Sequence, residues 1–64
     1  MTYRIRHAQS GRYWAEDEWL HTGQGWQDQD WTDFHSVLSA IDEISYLSVV
    51  VHIPAECLTV EVVA

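Results

Sequence analysis

Two six-residue segments at opposite ends of the chain alternate in polarity: TYRIRH at Thr2–His7 and LTVEVV at Leu58–Val63. A period of two is the signature of a half-buried strand. In the first segment Tyr3 and Ile5 point one way, and Arg4 and Arg6 the other. In the second, Leu58, Val60 and Val62 face in while Thr59 and Glu61 face out. If the two strands are neighbours, Glu61 meets Arg4 or Arg6 across the sheet. Gln9, Ser10 and Gly11 signal a turn, and residues 12–15, RYWA, read as the return strand of a hairpin.

The middle of the chain changes character. A long polar stretch over residues 16–33 has Trp19, Trp26 and Trp31 as apolar anchors, with a short strand expected near Trp26. Residues 36–46 read as the one helix. Val37, Ala40, Ile41 and Ile44 fall at i, i+3, i+4 and i+7 and form its expected buried stripe. Ser36 or Asp33 suits the N-cap. Residues 48–53 are apolar and β-branched and read as a further strand, ended by Pro54. The expected fold is α+β: a small antiparallel sheet of three to four strands with one helix packed on one face, in a single domain over residues 1–64.

A chain of 64 residues buries only roughly 60% of its unfolded surface. Cys57 is the only cysteine, so no internal disulfide can help. That fits a reducing cytoplasm. The four Trp, three Tyr and one Phe are therefore expected to supply much of the core. No apolar run follows the first seven residues, so no export signal is expected, and no stretch is apolar enough for a membrane span.

Charge is strongly segregated. Ten acidic residues face three basic ones, for a net charge of −7, and lysine is absent. The basic residues are Arg4, Arg6 and Arg12; every acid lies beyond them, from Glu16 onward. Such a surface repels phosphates and suits whatever normally binds them. In GWQDQDWTDF, Asp28 and Asp30 sit at i and i+2 between two tryptophans, with Asp33 close behind. In an extended chain that spacing is about 6.6–7 Å, near two steps of the roughly 3.4 Å rise between phosphates on one DNA strand. Glu16 and Glu18 repeat the pattern around Asp17. The expectation is that rings point in to hold the loop and acids point out to be read. A simpler reading is that the rings merely build a core and the acids merely solvate a loop.

Other chemistries fit less well. The EF-hand pattern needs glycine at its sixth position and an acid at its twelfth, where this chain has Asp33 and Ser39. His7, His21, His35, His52 and Cys57 lack zinc-finger spacing. His35 reads as a partly buried residue at the helix start and Cys57 as a small core residue. Neither a metal, a cofactor nor catalysis is expected.

The run MTYRIRHAQSGRYWAEDEWLHTG, followed by DWTDF and the helix, resembles the small acidic anti-CRISPR proteins encoded by phages and mobile elements. Within them it is most similar to those acting on type I systems, subtype I-C in particular. The resemblance is one of overall sequence, with no diagnostic motif. It also covers a broader phage pattern: Tyr3–Ile5, Gly11 to Trp14, and Phe34 to Ser36 opening a helix. It implies a stoichiometric, non-catalytic inhibitor in the cytoplasm of a bacterial host; the domain itself is expected to be a monomer or a weak dimer. Its partner would be a CRISPR effector complex (Cascade), at a basic DNA-binding or PAM-reading subunit, with no direct binding to nucleic acid or membrane. The expected contact residues are Glu16, Asp17, Glu18, Asp28, Asp30 and Asp33, with Asp42 and Glu43 as a second patch. The alternative function is a small phage interaction or antitoxin-like protein with a different protein partner.

Overall fold

The computed structural model of the protein describes residues 1–15 and 25–63. Expectations placed on Glu16, Asp17, Glu18, Trp19, His21 and Gly23 lie outside the described residues. The alternating ends form strands β1 (Thr2–His7) and β4 (Leu58–Val63), with β2 (Tyr13–Trp14), β3 (Trp26–Gln27) and helix α1 (Val37–Val49) between them. The result is an α+β fold: one four-stranded antiparallel sheet in the order β3-β2-β1-β4, with a single helix.

β1 and β4 pair along their whole length, Thr2 opposite Val63, Arg4 opposite Glu61 and Arg6 opposite Thr59. The hairpin from β1 to β2 closes where His7 N–H donates to the Arg12 carbonyl at 2.8 Å. Gly11 takes a positive φ of 72° there, a conformation that favours glycine. β2 is only two residues long, and beyond it the chain supplies a substitute. Phe34 exchanges two backbone hydrogen bonds with Tyr3, at 3.0 and 2.9 Å, and Thr32 N–H donates to the Trp14 carbonyl at 2.9 Å. Both sides of β1 are thus occupied. Because Phe34 and β4 both run antiparallel to β1, they run parallel to each other, with α1 as the crossover between them. This is a split β-α-β arrangement.

The fully buried centre is aliphatic: Ile5, Ala40, Leu47 and Leu58. Trp14, Trp26 and Phe34 are partly buried and pack around it, together with Ile44, Ile53 and Val60. Trp14 and Trp26 face each other across β2 and β3, ring centroids 5.4 Å apart and edge-on. A side chain at Gly25 would strike the Trp14 ring, whose Cη2 and Cε3 lie 2.7 and 2.8 Å from the position of a Cβ. That close approach explains the glycine.

Two expectations are corrected. The buried helix stripe is Ala40, Ile44 and Leu47, whereas Val37 and Ile41 are exposed, Ile41 to 45%. The register of the stripe is rotated because Leu47, fully buried, draws the helix onto its own side. The second concerns residues 48–53, which form no strand. Ser48 and Val49 complete α1, which Ser36 caps by accepting from Ser39 N–H at 3.2 Å. Burial of Leu47 and Ile53 outweighs the β preference of the valines. The turn after α1 holds His52 at φ 62°, with Ile53 N–H reaching back to the Leu47 carbonyl at 3.2 Å. Glycine is the usual residue at such a positive φ. Two smaller differences remain: His35 is exposed, and Cys57 is half-buried in a short 3-10 turn over Ala55–Cys57.

Ile41→Asp therefore keeps a cooperative melt, losing about 4–8 °C for a cost of about 1 kcal/mol. Leu47→Asp buries an unpaired charge and abolishes the folded circular dichroism spectrum. His52→Gly relieves about 1 kcal/mol of left-handed strain, and its melting temperature rises in the same assay.

Candidate functional site: an acidic loop anchored by tryptophan

One face of the sheet carries α1, and the other carries the arginines. Arg4, Arg6, Thr59 and Glu61 share this open face, as the alternation of β1 and β4 requires. Tyr13, opposite Arg6, joins them from β2. Arg4 lies at its centre. Its Nε donates to Glu61 Oε1 at 3.0 Å, with the two side chains only 22% and 32% exposed. Its guanidinium carbon sits 4.0 Å from the centroid of the Tyr13 ring and 4.6 Å from that of Trp31. The two rings meet edge-on at 5.4 Å. Each such cation–π contact contributes about 0.5–1 kcal/mol when exposed and more when desolvated.

Trp31 thus docks the acidic loop onto the open face of the sheet. Its own N–H groups then hold two carboxylates. The backbone N–H of Trp31 donates to Asp30 Oδ1 at 2.9 Å, and its indole Nε1 donates to Asp33 Oδ1 at 3.1 Å. Thr2 Oγ1 donates to the same Asp33 oxygen at 3.2 Å. Asp28 Oδ1 accepts from Arg12 Nε at 3.1 Å in an exposed ion pair. Asp28, Asp30 and Asp33 all remain exposed. The chain bends at Asp28 and Gln29, so the extended two-residue spacing between Asp28 and Asp30 is not kept.

The expected site residues separate into groups. Asp28, Asp30 and Asp33 come together on the loop held by Trp31. Asp42 and Glu43 lie on α1, across the sheet from Trp31 and Arg4. Asp42 is exposed, whereas Glu43 is half-buried and engaged in an interaction of its own. The Arg4–Tyr13–Trp31 cluster was not foreseen as a unit. Its signal is present in the alternation: Arg4 and Tyr13 fall on the same face once β1 and β2 pair with Arg6 opposite Tyr13. Among the described residues no three of His, Cys, Asp and Glu converge to hold a metal. No described helix is long and apolar enough to cross a membrane. No protein-family model, curated protein or solved structure matches the chain.

Arg4→Gln leaves Glu61 without its cation and Trp31 without its seat. The expected loss is about 1–3 kcal/mol in urea unfolding. Arg4→Lys keeps the charge but not the flat stacking surface, and it recovers less than half of that loss.

Proposed function

We propose that the protein is a non-catalytic inhibitor that offers carboxylates in place of DNA phosphates to a basic protein surface. In this reading its partner is a type I CRISPR effector complex, subtype I-C in particular, in the cytoplasm of a bacterial host. It occupies the PAM-reading or backbone-binding site, and the effector loses its DNA before base pairing is tested. The observation that carries this reading is the dual role of Trp31. One ring is stacked on Arg4 while its two N–H groups orient Asp30 and Asp33. A preordered acidic loop avoids much of the entropy cost of ordering on binding. The charge segregation supports the same reading, because two of the three arginines are drawn into internal pairs: Arg4 with Glu61 and Arg12 with Asp28. Glu16, Asp17 and Glu18 precede this loop in the chain. Asp42 adds a charge on the helix side.

The test is a gel-shift assay with purified effector complex and target duplex. Pre-incubation with the protein abolishes the shift, and rising salt weakens the inhibition steeply. Single carboxylate changes do little, since exposed ion pairs contribute about 0.2–1 kcal/mol each. The Asp28→Lys/Asp30→Lys double variant folds by circular dichroism and loses inhibition by a large factor. If the duplex still binds and only its degradation stops, blockade of nuclease recruitment replaces DNA mimicry. Full inhibition by the folded double variant means that the partner reads another surface, as the antitoxin-like alternative requires.

A further inference from the structure

β4 is an edge strand of six residues, and among the described residues nothing pairs with its outer side. Tyr3 turns its N–H and C=O away from β4, toward Phe34. By the antiparallel alternation, Leu58, Val60 and Val62 likewise turn theirs away from β1, along the free edge. Natural edges of this length are blunted by lysine, proline, a bulge or a cover. Here the chain has no lysine, β4 has no proline, and its register with β1 runs unbroken. Beside the edge lies exposed apolar surface. Val62 is 54% exposed and Leu38 74%, and Ile41 and Val37 are exposed to 45% and 42%. A crossover of the usual right hand turns the Val37 and Ile41 flank of α1 toward β4.

We infer that this flank is a homodimer interface, in which β4 pairs antiparallel with β4 of a second copy across a two-fold axis at Val60. Three features select a second copy. An antiparallel edge is complementary to itself under a two-fold axis. Centring on Val60 sets Leu58 opposite Val62 of the second copy, so every outward N–H and C=O of Leu58, Val60 and Val62 finds a partner. The same register sets Glu61 opposite Thr59 and avoids a Glu61–Glu61 clash; Glu61 is also already neutralised by Arg4. The third feature is spacing. α1 packs on both β1 and β4, so it lies about half a strand spacing inside β4. Strands about 4.8 Å apart then bring the two helices to about 10 Å, within the usual range for packed helices. A stable interface covers about 800 Å² per partner. In a molecule measuring 30 × 22 × 21 Å, that engages the whole flank, helix and strand together. This inference is independent of the proposed inhibitor role, whose acids lie on the loop anchored to the opposite face.

Sedimentation equilibrium from micromolar to millimolar protein tests it. The expected species is twice the 7.4 kDa chain mass. Two acidic copies repel, so added salt tightens the dimer, whereas ion-pair binding to a basic partner weakens. Leu38→Lys/Ile41→Lys, and separately Val62→Pro, raise the dissociation constant by about tenfold or more, with unchanged circular dichroism. A wild-type protein that stays at 7.4 kDa up to millimolar concentration overturns the inference, as does a dimer indifferent to these variants. Should a variant misfold, amide exchange of the wild type decides. Protection of Val60 and Val62 that rises with concentration supports the pairing; protection independent of concentration overturns it.

Discussion

Arg4 ties together parts of the chain that are far apart in sequence. It stands on β1, pairs with Glu61 on β4, and lies against Tyr13 of β2 and Trp31 of the loop. A guanidinium suits this position, being a permanent charge with flat faces that stack and an edge that donates. Lysine would supply the charge and a donor but no flat face to stack. The open face of the sheet would otherwise expose its rings and leave its charges loose. With Arg4 in place, the aromatic surface is covered and the arginine is neutralised, and the loop acids are left as the outward feature of that side.

The pairing of Trp and Asp along residues 25–34 follows from this division. Trp26 packs with Trp14 near the helix-side core, whereas Trp31 goes to the opposite face. Two rings five residues apart therefore clasp the sheet from both sides, and the aspartates between and beside them are held at its rim. The helix face and the open face thereby acquire different characters: one apolar and closed by Leu47, the other aromatic and ionic.

Much of the architecture was legible wherever a short-range pattern coincided with a long-range need. The period-two segments became β1 and β4, their register placed Glu61 opposite Arg4, and Ser36 capped the helix. Legibility failed where several placements had similar local merit. Val37, Ala40, Ile41 and Ile44 make as regular a stripe as Ala40, Ile44 and Leu47; only the position of Leu47 against the sheet decides between them. Val49, Val50 and Val51 read as a strand by composition, but burial of Leu47 and Ile53 carries the helix through Val49 and turns the chain after it. The acidic loop was legible as a charge pattern, and Trp31 was expected to hold it. Its docking partner Arg4 was not, because that contact depends on the pairing of three strands.

The pairing of the first strand with the last has a kinetic consequence. β1 is flanked on one side by residues up to Phe34 and on the other by β4, whose paired residues extend to Val63. Contacts across so large a share of the chain give a high relative contact order, which slows folding. During synthesis β1 emerges before β4 and waits unpaired on its β4 side until Leu58–Val63 have left the ribosome. The hairpin alone is too small to persist in water. The sheet thus closes only once β4 is available, and a nascent chain halted before Leu58 exposes β1 as an unprotected edge.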